Sequence, residues 1–304
     1  MQKFDLIARD QFQVACYEWL PANPKAIVVI AHGMGEHAQR YDWTARELVE
    51  AGYAVFAKDH RGHGDTTHAG PGDMGADGWS ATLVDIHELV VEARRRVAAE
   101  VPLILFGHSM GAMLSQQYVT AYGQSVDALV LSGSPGIKPR SAGWIMKVLV
   151  GIEKWRHGAG AHSEFLQDRL FGNANEPFDS EDATGYEWLS RDAQEVQKYV
   201  VDEGCGFVLS CGSLLDMARG SSVARSSQAL ADIPKELPVY VFSGEDDPVH
   251  GEKADIERLI TLWRGAGVQN IDLKWYAGGR HEMLNEVNKQ EVVRDLIDWL
   301  DQHV

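Results

Sequence analysis

The sequence predicts an α/β fold: a mostly parallel central sheet with helices on both faces and a helical insertion. Three observations lead there. Between residues 26 and 132, short β-branched apolar runs alternate with longer stretches of helical period, as in βαβ units. The short runs are nearly continuous in hydrophobics, as strands covered on both faces must be. After residue 134 the strand pattern stops for about a hundred residues and then returns, so a helical segment interrupts one sheet.

In chain order, residues 4–7 and 13–19 alternate in polarity and are separated by a short polar stretch at 8–11, which predicts an antiparallel edge hairpin. AIVVIA at 26–31 is a buried strand, 42–50 a helix, and 54–58 the next strand. A long helical pattern at 80–100 leads to PLILF at 102–106. The helix expected at 111–122 ends at Gly123, read as a C′ glycine, and DALVLS at 127–132 follows as a strand. In the insertion, Trp144, Ile145, Val148, Leu149, Ile152 and Trp155 make one apolar stripe, with only Lys147, Glu153 and Lys154 charged between them. A second insertion helix at 192–203 opens with the capping-box pattern Asp192-Ala193-Gln194-Glu195. Strands at 239–243 and 271–276 and a helix at 290–299 complete the chain. The expected organisation is a core of residues 1–134 and 234–304 with a helical cap at 135–233. No internal repeat and no low-complexity tract appears.

The balance of 28 Lys+Arg against 44 Asp+Glu, a net charge of −16, carries no basic footprint for a phosphate backbone and argues against a nucleic-acid partner. Cys16, Cys205 and Cys211 are odd in number and form no CxxC pair, so neither a disulfide framework nor a structural zinc site is indicated. The first residues, MQKFDLIARDQFQV, lack a basic region followed by an apolar one, and no apolar run reaches membrane-spanning length. A soluble protein of a reducing, cytoplasmic compartment is the expectation.

Gly107-His108-Ser109-Met110-Gly111 lies directly between a strand and a helix. In that context G-x-S-x-G makes a sharp, strained turn that lifts a serine hydroxyl clear of the backbone, and the flanking glycines remove Cβ atoms that would collide there. The N-terminus of the following helix favours negative charge developing beside Ser109. His32-Gly33-Met34-Gly35 follows the AIVVIA strand, so the backbone N–H groups of Met34 and Met110 are candidate donors of a two-point oxyanion hole. A nucleophilic serine needs a base, and the base needs an orienting acid, in chain order Ser, Asp, His for this topology. Gly244-Glu245-Asp246-Asp247-Pro248 follows the VYVFS strand. Asp247, which can double as a helix N-cap before Pro248, is the candidate acid, with Asp246 the fallback. His281, in the glycine loop after the last strand, is the candidate base. Three strand ends would then each supply one member of the triad.

Asp59-His60-Arg61-Gly62-His63-Gly64-Asp65 is rich in potential ligands but reads as a structural loop, with Arg61 expected to pair with Glu36 or Asp59 and to brace the oxyanion loop. His32 and His108 read as packing residues, and Cys205 and Cys211 as buried thiols.

Taken together these residues resemble the α/β-hydrolase superfamily, and more narrowly its monoacylglycerol lipase and lysophospholipase branch. The likeness spans nearly the whole chain and is carried by HGMGEHAQRY at 32–41, GHSMGA at 107–112 and RHEMLNE at 280–286, with WLSRDAQEVQKYVVDEGCGF at 188–207 similar to a segment of bacterial members. The loop after Asp65, Thr66-Thr67, departs from the branch pattern. The resemblance implies an α/β-hydrolase fold with a Ser109, Asp247, His281 triad, the Met34 and Met110 N–H groups as oxyanion hole, and no metal or cofactor. It implies hydrolysis of carboxylic esters of lipid-like substrates, of monoacylglycerol or lysophospholipid type, through an acyl-enzyme. Two other readings stay open. A proline-iminopeptidase-like amidase would need a cap carboxylate such as Glu164, Asp168 or Asp202 to hold a free amine, and a ligand-binding receptor would keep the fold without turnover. The 144–155 stripe must be covered, either by packing on the core and the rest of the cap or, in part, by a micelle or membrane surface at an acyl-chain tunnel.

Overall fold

The chain runs through β1 (Gln2–Ile7), β2 (Gln13–Trp19), β3 (Ala26–Ala31), α1 (Asp42–Glu50), β4 (Tyr53–Lys58), α2 (Gly78–Arg96), β5 (Leu103–His108), α3 (Met110–Tyr122) and β6 (Ala128–Ser132). It continues through α4 (Arg140–His157), α5 (Glu164–Phe171), α6 (Ala193–Val201), α7 (Cys211–Val223) and α8 (Ser227–Ala231), then β7 (Val239–Gly244), α9 (Lys253–Gly265), β8 (Ile271–Tyr276) and α10 (Lys289–His303). The structure is a computed structural model and describes residues 1–137 and 140–304.

All eight strands join one sheet in the order β1-β2-β4-β3-β5-β6-β7-β8. β1 and β2 pair antiparallel, as do β2 and β4, while every pairing from β4/β3 to β7/β8 is parallel. Burial explains the difference in pattern. β3 to β7 are buried at every position, whereas β1 at the edge alternates between exposed and half-buried residues. Alternate side chains feed two cores. Ile27, Val29, Phe56, Leu105 and Val241 meet Trp79 and Ile86 of α2, Tyr118 of α3 and Trp263 of α9 on one face. On the other face, Val28, Ile30, Val55, Phe106 and Phe242 meet Leu48 of α1 and Leu296 of α10.

Chain order along the sheet reverses beside β3: β4 lies to one side of it and β5 to the other. A crevice opens at the carboxyl ends of parallel strands where connections diverge in this way. The loops after β3, β5, β7 and β8, which hold residues 32–35, Ser109, Asp247 and His281, all leave from that edge.

Several local expectations are corrected. The second long helix ends at Arg96 rather than at residue 100, because Pro102 disfavours helix before it and the Arg94 guanidinium donates to the carbonyls of Ala99 and Val101, both at 2.8 Å. Gly123 is no left-handed C′ residue: at φ −56° it opens a 3₁₀ turn over Gly123–Ser125. Asp192 caps α6 through the N–H groups of Gln194 and Glu195, but Glu195 binds Lys198 and Lys289 instead of closing a box. No helix starts at Pro248. The helix of that region, α9, was missed although Ile256, Leu259, Ile260 and Trp263 have helical spacing, and its capping box is Glu252 with Asp255.

α4 holds the largest departure. It lies against α7 with Val150 buried. Its stripe, however, is largely uncovered: Trp144 is 68% exposed, Trp155 85%, and Ile145, Val148 and Ile152 are exposed as well. Glu153, the acid among them, is buried against Arg156 and Ser163. Among the described residues no helix is long and apolar enough to cross a membrane.

Candidate active site

Ser109 sits where β5 turns into α3, at φ 53° and ψ −114°. A positive φ is costly for a residue with a Cβ and persists only where the surroundings enforce it. Here they do. A Cβ on Gly107 would lie 2.5 Å from both the Gly111 carbonyl and the Ser115 hydroxyl, and one on Gly111 would collide with the Ala31 carbonyl, so only glycines let β3, the turn and α3 approach this closely. The Ser109 N–H donates to Ser132 O at 3.0 Å, which ties the turn to β6.

The loop after β3 passes directly alongside. A Cβ on Gly33 would meet Ser109 Cβ at 3.2 Å. Glu36 holds this loop by accepting from the Gly33 N–H at 2.5 Å and from the Tyr41 hydroxyl at 2.9 Å. Gly33, the residue before Met34, therefore borders Ser109, and Met110 follows Ser109 directly in the chain.

His281 and Asp247 come together from the ends of β8 and β7. His281 Nδ1 is 2.9 Å from Asp247 Oδ2, and both residues are buried. The Asp247 carboxylate also accepts from the Val249 N–H at 2.8 Å and from the Ser243 hydroxyl at 3.2 Å, so its orientation is determined by three donors. Burial by itself lowers the basicity of His281, but the adjacent carboxylate outweighs it and raises the imidazole above its ordinary value. The same pair works in reverse on Asp247: burial pushes its carboxyl up and the His281 charge brings it below the usual range. Asp246, the fallback acid, is exposed. His108, the residue before Ser109, has its ring centroid 4.8 Å from that of His281. Burial, with the His281 charge next, takes it down to about 4, so it stays neutral.

Behind this pair is an ionic network that the sequence reading missed. Arg40, nearly buried, reaches Glu36 at 2.8 Å and both oxygens of Glu282 at 2.6 and 2.7 Å. Glu282, the neighbour of His281, would be raised by burial but is held down to about 2 by the guanidinium. One arginine thus joins the loop after β3 to the loop after β8. The i,i+4 spacing of Glu36 and Arg40 was visible; the partner at 282 was not.

The remaining expectations divide. Arg61 pairs with Asp85 (2.8 Å) and Asp10 (2.6 Å), not with Glu36 or Asp59, because its loop turns toward α2 and the β1–β2 turn. Asp59 instead accepts from the N–H groups of Ala38 and Asp65, both at 2.8 Å. His32, His60 and His63 pack ring against ring and bond internally, His60 Nε2 with His32 O and His63 Nδ1 with Arg61 O. Cys16 and Cys211 are buried and Cys205 half-buried. Among the described residues, the one group of side chains close enough to share a metal ion is His37, Asp202 and Cys205. In it, His37 Nε2 and Asp202 Oδ2 already bond each other at 3.0 Å.

The whole chain resembles known proteins. The chain is similar to a monoacylglycerol lipase of Mycolicibacterium smegmatis, 29% identical over 302 residues that cover 94% of this chain and 92% of that one. It is similar to the human monoglyceride lipase at 27% identity, covering 98% and 89%. In structure it is similar to a thermostable carboxyl esterase from Bacillus coagulans solved with glycerol, at a TM-score of 0.89 and 24% identity over 99% of this chain and 98% of that one. Residues 22–288 match the family described as "Serine aminopeptidase, S33", and the chain accordingly belongs to that family, on an α/β-hydrolase fold.

Proposed function

We propose that this protein hydrolyses carboxylic esters of lipid-like substrates, of monoacylglycerol or lysophospholipid type, through an acyl-serine intermediate. The observation that carries the reading is the buried His281–Asp247 pair at 2.9 Å, with the His281 ring 4.8 Å from that of His108, the residue before a serine on a strained turn at a strand end. In this mechanism Ser109 Oγ attacks the ester carbonyl while His281 Nε2 takes its proton. Asp247 holds Nδ1–H and stabilises the imidazolium. The Met34 and Met110 N–H groups receive the oxyanion, each worth on the order of 3 kcal/mol. His281 returns the proton to the leaving alcohol, and water, activated by the same ring, releases the acid. The chemistry calls for no metal or organic cofactor.

The relatives' names support a glycerol or glycerol-like leaving group. An amidase that holds a free amine would need an unengaged carboxylate near the serine. Of the three acids considered, Asp202 is occupied by His37, while Glu164 and Asp168 are exposed on α5. Glu282, the buried acid beside His281, is neutralised by Arg40. Residues 135–233 act as the cap of the site, and the exposed tryptophans of α4 suit transient contact with a micelle or membrane interface. Three unpaired cysteines fit a cytoplasmic setting. The test is kcat/KM over glycerol and aryl esters from about two to eighteen acyl carbons beside an aminoacyl anilide. Preference for the anilide would overturn the ester reading, as would full hydrolysis by Ser109→Ala.

A further inference from the structure

The indole of Trp188 lies over the imidazole of His281, with ring centroids 5.2 Å apart and planes tilted by 35°. Phe171 stacks on Trp188 in turn, at 5.7 Å, and Trp188 is buried. The backbone holds this arrangement. Residues 188–191 run beside the histidine loop: the His281 N–H donates to Trp188 O at 3.3 Å, the Glu282 N–H to Leu189 O at 2.7 Å, and the Ser190 hydroxyl to Asn285 O at 2.8 Å. Glu286, with no exposed surface, accepts from the N–H groups of Arg280 (3.0 Å) and Arg191 (3.1 Å) and from Arg191 Nε (2.9 Å). Arg280 Nη1 donates back to the carbonyls of Glu187 and Ser190, at 2.7 and 3.1 Å. This stretch between β6 and β7 and the histidine loop therefore form one unit.

We propose that Trp188 is a positioning residue for the hydrolytic reaction: its indole holds the His281 ring against Asp247 and favours the imidazolium that forms when the ring takes the serine proton. The inference rests on His281 being the base. A cation within about 6 Å of an indole face is attracted by the ring quadrupole, tryptophan most strongly of the aromatic side chains. An interaction that favours the protonated form raises the basicity of the ring. The other groups that act on His281 are Asp247 at Nδ1, Glu282 next in the chain, Glu36 across Arg40, and the ring of His108 from the β5 turn. His108 is neutral in the working range. The carboxylates supply most of the preference for the imidazolium, and the indole adds to it through its face.

The test compares the protein with Trp188→Leu, Trp188→Phe, and a variant carrying difluorotryptophan at position 188, which keeps the indole shape while weakening the charge on its face. The readouts are kcat, KM and the acid limb of kcat/KM on a short aryl ester from about pH 4.5 to 9, with the rate of fluorophosphonate labelling of Ser109 over the same range. Trp188→Leu is expected to lower kcat about tenfold with KM within about twofold, and to move the acid-limb midpoint down by about half a unit; Trp188→Phe recovers most of the loss. The fluorinated indole moves the midpoint the same way with no change in melting temperature. An unchanged midpoint in the fluorinated protein overturns the proposal even if the leucine variant fails to fold, and so does a loss confined to KM. Hydrolysis that survives Ser109→Ala would instead overturn the underlying serine mechanism, whatever the behaviour of Trp188.

Discussion

Arg40 grips Glu282 with two parallel N–H···O bonds, at 2.6 and 2.7 Å, and so ties the loop that borders Ser109 to the residue after His281. Both side chains are less than a tenth exposed. Such a pair gives little net stability over an apolar replacement, yet removal of one partner leaves a buried charge unmatched. Arg40→Ala is therefore expected to cost about 3–5 kcal/mol in urea unfolding. Arg40→Lys should recover only part of it, since an ammonium cannot span both oxygens of Glu282 and still reach Glu36. A loss below about 1 kcal/mol for Arg40→Ala would show that the network is solvated in solution.

Ser109→Ala should leave the melting temperature unchanged and reduce ester hydrolysis by several orders of magnitude. His281→Ala should do nearly the same, and the double variant should cost little more than either, because the two groups act on one proton. Additive losses, read as kcat on a short aryl ester, would separate their roles.

Asp247→Asn is expected to lower kcat by about four orders of magnitude, because an amide at this position selects the wrong histidine tautomer. Asp246→Asn, at an exposed position, should change kcat by less than about threefold. The reverse ranking would move the acid one residue back.

Two pH effects are expected, with opposite origins. Hydrolysis needs a neutral His281, whose value the Asp247 carboxylate raises above 6.5, so kcat/KM should rise with pH through a midpoint above that value. Stability responds instead to the buried neutral rings. Burial lowers both His63 and His108 to about 4, so the unfolded chain binds their protons first. Their contribution is complete above about pH 6.5 and falls as pH drops toward 4, by up to about 3 kcal/mol for each ring. Melting temperature measured across that window should fall steadily; a flat profile would mean the rings are hydrated in solution.

The uncovered face of α4 predicts a substrate-dependent phenotype. Trp144→Ser combined with Trp155→Ser should weaken binding to phospholipid vesicles and lower kcat/KM for long-chain monoacylglycerols by about tenfold, with short aryl esters unchanged. Equal losses on both substrates would place these residues in a structural role.

How much was legible depended on how local each signal was. The buried strands and the elbow could be read because each is a property of a few adjacent residues: a β-branched run, two glycines around a serine, an acid or a histidine just past a strand. The contact between His281 and Asp247 then followed from strand order, because parallel neighbours deliver their C-terminal loops to one edge. The signal for α9 is equally local, since Ile256, Leu259, Ile260 and Trp263 recur at helical spacing.

Other features were decided in three dimensions alone. Arg40 meets Glu282 across 242 residues of chain, and Arg280 meets Glu187 across 93. Arg61 had acids nearer at hand in its own loop, yet Asp10 and Asp85 took it because α2 and the β1–β2 turn pack beside it. The stripe on α4 shows the same limit. Periodicity revealed that one face is apolar, and only the placement of α7 revealed that most of that face is left open. By itself, then, the sequence determined which segments are strands, which turns carry the serine, acid and histidine, and which helix faces are apolar, since those follow from backbone propensity and spacing along a few residues. The tertiary structure decided which charges pair, which aromatic ring covers His281 and which apolar face stays bare, since those depend on the packing of segments whose separation along the chain says nothing about their distance in space.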